Sequence, residues 1–198
     1  VSGARSAGYL RGRRTREAIL DAAFSHFAAH GYHGASLRDM AAESGVSHPG
    51  LRHHFATKDE LLLAVLQRRE ERSRARVSAQ LERGESPRER ILGVAAFNTA
   101  EPGLIQLFAR LSVEAADPAH PAHEYFRARY ERTRRIVASW LEEDGVARSR
   151  ADSVATTLLA TQDGLQVQWL LTPGSIDIRG RLSEVYDVLV EHARSSAD

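Results

Sequence analysis

Apolar residues along this chain recur at helical spacing, and no segment alternates long enough to make a convincing strand. Leu20, Ala23, Phe24, Phe27 and Ala28 mark one face of a helix from about Arg14 to His30, which Gly31 ends in a left-handed conformation. A second, short helix is expected from Leu37 to Ser44, capped by Ser36, with Asp39 at its third position. Gly45 supplies the positive φ of a sharp exit, and Ser47 caps a third helix with Pro49 in its first turn, where a missing N–H costs nothing. Leu37, Met40, Val46 and Leu51 are spaced to share one small core, and Ala41 is small where the two short helices would cross. Thr57-Lys58-Asp59-Glu60 reads as a capping box opening a long helix to about Gln80, closed by Gly84. Ser86-Pro87-Arg88-Glu89 opens the next. Breaks at Glu101-Pro102-Gly103, Asp117-Pro118 to Pro121, Asp144-Gly145 and Thr172-Pro173-Gly174 divide the remainder into about five helices. The pattern predicts an all-α protein of about nine helices, without internal repeats or low-complexity segments.

Two short helices joined by a tight turn hold the second of them proud of the surface, a shape commonly inserted into a DNA major groove. Once the core positions Val46 and Leu51 are set aside, the third helix presents Ser47, His48, Pro49, Gly50, Arg52, His53 and His54. These are small residues, donors and flat polar rings, with no carboxylate among them, which suits phosphates and base edges.

Charge distribution supports that placement more than the net charge of +1 does. Residues 1–58 hold eight Lys or Arg against four Asp or Glu, whereas residues 59–198 hold 19 against 22. Six of the nine histidines also fall in the first part. The N-terminal third is therefore the electropositive end, as a polyanion-binding module requires. Lys58 is the single lysine, a bias that reflects genome composition better than function. The absence of cysteine excludes disulfides, thiolate zinc sites and cysteine nucleophiles. No apolar run is long enough to span a bilayer, and no signal-peptide core is present near the N-terminus, so a cytoplasmic, nucleoid-associated protein without membrane contact is the expectation.

Residues 14–66 resemble the DNA-binding domain of the TetR family of bacterial transcriptional regulators. The resemblance rests on His30-Gly31-Tyr32, Ala35-Ser36-Leu37-Arg38-Asp39-Met40-Ala41, Ser44-Gly45-Val46-Ser47, Leu51, His54-Phe55, Lys58 and Glu60-Leu61. Asp163-Gly164-Leu165 and Gln168-Trp169-Leu170 are similar to one branch of that family. Residues 1–13, with Arg5, Arg11 and Arg13 and no apolar anchor, read as a flexible basic tail, and the resemblance implies a helix-turn-helix domain (14–58) and a helical ligand-binding and dimerisation domain (59–198). It implies base contacts from some of His48, Pro49, Gly50 and His53 on the recognition helix, which also carries Ser47 and His54. Phosphate contacts would come from Lys58, Ser36, Arg38 and Thr15 or Arg16. The family usually has Tyr where this chain has Arg52, which can reach a phosphate or read guanine. His54 has a second reading, packed beneath its helix.

Further along, Phe97, Asn98, Phe108, Leu111, Trp140, Gln162, Asp163 and Gln166 are the candidates for lining a ligand cavity. The polar ones stand in or beside apolar stretches and need a partner, whether ligand, water or protein. Leu158, Leu165 and Trp169, with Leu182, Val185, Tyr186 and Leu189, make the last two helices apolar on more than one face, as a two-fold four-helix seam would require. The expected function is a ligand-responsive regulator, most simply a repressor, which binds a palindromic operator as a homodimer and is released by a small molecule. Activation or co-repressor dependence remains an alternative. A metal-binding helical enzyme is the rival class: His120-Pro-Ala-His123, with Asp117 and Glu124 nearby, has the right atoms. There is, however, no HExxH and no Glu followed by His three positions on, so neither catalysis nor a metal or other cofactor is expected.

Overall fold

The computed structural model describes residues 2–195, with side chains from residue 9 onward; Arg5 of the expected basic tail lies outside the described side chains. Nine α-helices occur among these residues: α1 (Ser2–Gly34), α2 (Leu37–Glu43), α3 (His48–His54), α4 (Lys58–Glu82), α5 (Pro87–Ala100), α6 (Pro102–Glu114), α7 (His123–Glu143), α8 (Arg148–Leu171) and α9 (Ile178–Ser195). The first helix reaches back to Ser2 rather than starting at Arg14. Leu10, Arg11, Arg13 and Arg14 favour helix, and extending an existing helix needs no new nucleus.

The chain forms two units. Among the described residues, the first comprises 2–72 and 110–123, the second 73–109 and 124–195. The division thus falls inside α4 rather than at its start, and the end of α6 belongs with the N-terminal residues.

In the first unit α2 packs on both α1 and α3. Ile19, Leu20 and Phe27 of α1, Met40 of α2, Leu51 of α3, Phe55 and Leu61, Leu62 and Leu66 of α4 are fully buried. Local chemistry sets the joints. Ser36 Oγ accepts from Asp39 N (3.4 Å) and Ser47 Oγ from Gly50 N (3.1 Å). Thr57 Oγ1 accepts from Glu60 N (3.1 Å), while Glu60 Oε2 accepts from Ala56 N (2.8 Å), one residue before the donor that a strict capping box would use. Gly45 has φ +71°, as the turn between α2 and α3 requires.

In the second unit α5 and α8 pack on α9. Ile91, Leu92, Trp140, Leu141, Val154, Leu158, Leu182, Tyr186 and Val190 are part of one core. The buried Arg90 guanidinium crosses from α5 to α7, where it meets Glu143 in two parallel bonds (2.8 and 2.6 Å) and donates to Glu85 O (2.8 Å). Removing one side would leave a charge desolvated without its partner. Leu158, Leu182 and Tyr186, expected at a dimer seam, are closed inside this core and cannot form the face a partner touches. Leu165, Trp169, Val185 and Leu189 are only partly covered, and beside them Val167, Leu171 and Val188 are exposed. Two-sided apolar helices were legible; which side faces the core was not.

Leu51 is the one buried residue of α3. Leu51→Ala is expected to cost about 2–5 kcal/mol. Hydrogen exchange should rise across residues 36–56 before it rises in α8 and α9; equal exchange in both units would contradict this.

Candidate nucleic-acid interface

The surface of α3 follows from its single buried side chain. With Leu51 inward and Ser47 fixing the first turn, Ser47, His48, Pro49, Arg52 and His53 are exposed, and Gly50 and His54 are half-buried. His54 therefore takes the intermediate position that both of its readings allow. The His53 and His54 rings stand edge to face, 5.8 Å apart. Among the described residues no carboxylate pairs with Arg52 or Arg38, and both guanidinium groups stand in solvent. Three basic residues occupy the last turn of α3, where the helix dipole favours positive charge.

The flanking candidates surround this helix in different ways. Ser36 uses its hydroxyl as the α2 cap. Thr15 Oγ1 donates to Arg11 O within α1 (3.0 Å). Arg16 lies over the Phe55 ring at 4.9 Å, stacked rather than extended. Lys58 is half-buried at the first turn of α4. Its Nζ donates to His33 O (3.3 Å) and stands 4.8 Å from the Tyr32 ring centre. Burial pushes its pKa down from the usual lysine value, with Asp59 and Glu114 acting in the opposite direction. Tyr32 Oη in turn donates to Asp59, and desolvation foremost, with that bond, raises the Tyr32 hydroxyl to about 12. Lys58 thus joins the first turn of α4 to the end of α1. Its spacing in the sequence gave no sign of that bond.

Residues 19–65 match the profile of the bacterial regulatory proteins of the tetR family. The helical remainder agrees with that assignment over nearly the whole chain. The chain is 27% identical to the HTH-type transcriptional regulator PksA of Bacillus subtilis over 189 residues, covering 92% of this chain and 89% of that protein.

The chain belongs to the TetR family of bacterial transcriptional regulators.

It is a DNA-binding regulator and not an enzyme. Among solved structures, a transcriptional regulator from Rhodococcus sp. Rha1 superposes with a TM-score of 0.75 at 28% identity, covering 92% of this chain and 97% of that one. A transcriptional regulator from Saccharomonospora viridis, solved in complex with choline, gives 0.74 at 25% identity, covering 89% and 95%. No single described helix of this TetR-family chain is long and apolar enough to cross a membrane.

The ligand candidates scatter. Trp140 is buried in the second unit's core with Arg90 5.5 Å from its ring centre. Leu111 is fully buried in the first unit. Phe97 is half-buried beneath the Arg76 guanidinium, and Phe108 lies beneath that of Arg129 (4.6 Å) and edge-on to Phe126. Asn98 and Gln162 are half-buried. Gln166 is buried, and its amide nitrogen finds no hydrogen-bond partner. Asp163 accepts from Tyr130 Oη (2.8 Å), a pairing that sequence spacing could not reveal because α7 and α8 supply one member each. Burial raises the Asp163 pKa above the ordinary carboxylate value, while the Tyr130 bond and Arg129 pull it back.

A carboxylate with a raised folded-state pKa weakens the fold wherever it is ionised. Asp163→Asn keeps an acceptor for Tyr130 and should raise the Tm at pH 7. That gain should shrink as pH falls through the raised folded-state pKa of Asp163, where Asp163 itself takes up a proton, and vanish below the ordinary carboxylate pKa. Thermal melts of both proteins across that range check the sign; a Tm lowered at pH 7 would contradict it.

Proposed function

We propose that this TetR-family regulator is a repressor that binds a palindromic operator as a homodimer and is released by a small molecule. The observation that carries the reading is the α3 surface: an exposed, carboxylate-free helix face fixed in rotation by Leu51. His48, Pro49, Gly50 and His53 are the base-reading group. Arg52, Arg38, Ser36 and Lys58 reach phosphate, helped at Lys58 by the N-terminus of α4, and Thr15 or Arg16 adds a contact from α1 once released from its bond to Arg11 O or its stack on Phe55.

The partly covered Leu165, Trp169, Val185 and Leu189, with exposed Val167, Leu171 and Val188, supply the apolar face of the homodimer. Two-fold symmetry then sets two recognition helices into successive major grooves, with half-sites about 34–36 Å apart or a multiple of that. Tyr130, Asp163 and Gln166 offer a hydroxyl, a desolvated carboxylate and an unpaired amide to a ligand. The choline held by the Saccharomonospora viridis regulator favours a small organic cation as the effector class, a charge that the Asp163 carboxylate suits. Both α4 and α6 run unbroken from one unit into the other, so a ligand that prefers one course of these helices reaches the recognition helix. Coupling of this kind is typically about 1–3 kcal/mol.

Selection of bound fragments from random duplex DNA tests recognition, symmetry and spacing together; enrichment of an inverted repeat is expected, and no enrichment overturns the reading. On the selected duplex, Arg52→Ala should weaken all sequences alike and reduce the salt-dependence slope by about one unit. His53→Ala should instead relax preference at particular base pairs by about 1–3 kcal/mol. Fluorescence anisotropy over a salt series and a set of point-substituted duplexes separates the two. Leu171→Arg should turn the dimer into monomer in sedimentation and leave far-UV circular dichroism unchanged. If sedimentation stays unaltered, the α8–α9 face is not the seam.

A further inference from the structure

The ends of α1 and α6 and the turn after α6 bring three side chains of metal-ligating type around one point. His33, Glu114 and His120 each offer one ligand atom, and all three atoms lie within 4.8 Å of one another. They come from sequence positions 81 and 6 residues apart, so no local motif announces them. The histidine pair that the sequence does announce behaves differently. His123 Nδ1 bonds Ala115 O (2.9 Å), Asp117 accepts from Ala119 N (2.9 Å), and Glu124 pairs with Arg127. His120 turns to His33 instead, their rings 5.9 Å apart.

Two observations mark this cluster as more than adjacent polar groups. His120 is 5% exposed, and its Nε2 has no hydrogen-bond partner; the nearest carboxylate oxygen, Glu114 Oε2, stands 3.7 Å away. A buried nitrogen left so is uncommon and calls for an occupant. The Glu114 carboxylate, meanwhile, is oriented by the backbone: Oε2 accepts from Tyr32 N (2.7 Å). Gly31 makes room for it. Its φ of +69° disfavours other residues, and a Cβ there would collide with Glu114 Oε1.

We propose that His33, Glu114 and His120 bind one divalent transition-metal ion of the zinc class. Two imidazoles and a carboxylate, with a fourth position open to water, match that metal, whereas magnesium and calcium prefer oxygen donors throughout. Bonds of about 2.0–2.1 Å in a tetrahedron put ligand atoms about 3.3 Å apart, so the cluster must contract. His33 is exposed and free to supply the movement. His120 Nδ1 accepts from Ala122 N (3.1 Å), which puts the ring proton on Nε2 when no ion is bound. Loading the metal at Nε2 moves that proton to Nδ1 and ends the Ala122 bond, so binding rearranges the turn before α7. The Lys58 ammonium, bonded to His33 O, opposes the ion's charge and limits its affinity.

Titration calorimetry of untagged, chelator-treated full-length protein with zinc chloride, and separately with magnesium chloride, tests the site. One zinc per chain and no magnesium uptake are expected. His33→Ala and Glu114→Gln, both chosen to keep the fold, should each weaken zinc binding more than about tenfold while circular dichroism and the metal-free Tm stay unchanged. The site is overturned if wild type takes up no zinc. It is equally overturned if both variants bind as wild type does, including the case where His53→Ala abolishes uptake and so puts the ion on α3. The readout is metal uptake alone, so it stands or falls separately from operator binding.

Discussion

One buried leucine decides which way the recognition helix faces. α3 is only two turns long, and Leu51 is its sole buried side chain. A helix that short has no stability of its own, so its rotation is whatever that contact and the Ser47 cap impose. His48, Arg52 and His53 are then turned outward as a consequence, with His54 half-buried. Met40, Phe55, Leu61 and Leu62 are buried in the same unit, and a close-packed interior resists a different phase. A functional surface made of small and basic residues needs such an anchor, because those residues contribute little to burial themselves.

How legible a feature was depended on the range of the interaction that makes it. The caps at Ser36, Ser47, Thr57 and Ser86 are set by residues three positions apart, and spacing alone located them. The domain match over residues 19–65 follows for the same reason. Gly31 was readable as a break, and α1 does kink there at φ +69°, but its closeness to the Glu114 carboxylate was not readable, since 83 residues separate them. The same holds for Tyr130 with Asp163 and for Lys58 with His33 O. Amphipathic period showed that α8 and α9 are apolar on two sides. Assigning Leu158, Leu182 and Tyr186 to the core side and Leu171 and Val188 to the outer side required tertiary packing.

The two units solve their electrostatics differently. In the second, Arg90 is buried and fully matched by Glu143 and Glu85 O, a fixed brace between α5 and α7. Elsewhere in that unit the Gln166 amide nitrogen has no hydrogen-bond partner, and burial raises the Asp163 pKa despite its bond from Tyr130. Polar groups kept at some cost to stability mark places where a chain serves something besides its own fold. In the first unit Arg52 of α3 and Arg38 of α2 are left without acidic partners, which maintains the field that a polyanion would meet.

The lone lysine has a practical corollary. Apart from any amine at the chain's start, a chain with 26 arginines and one Lys58 has a single side-chain amine, and that amine stands where α4 begins, joined to the end of α1. Burial lowers its pKa from the usual lysine value, with Asp59 and Glu114 acting the other way. Amine-selective acylation therefore addresses one chemically unique side chain in the regulator, beside its recognition helix, erasing a positive charge or installing a fluorophore there without any engineered cysteine.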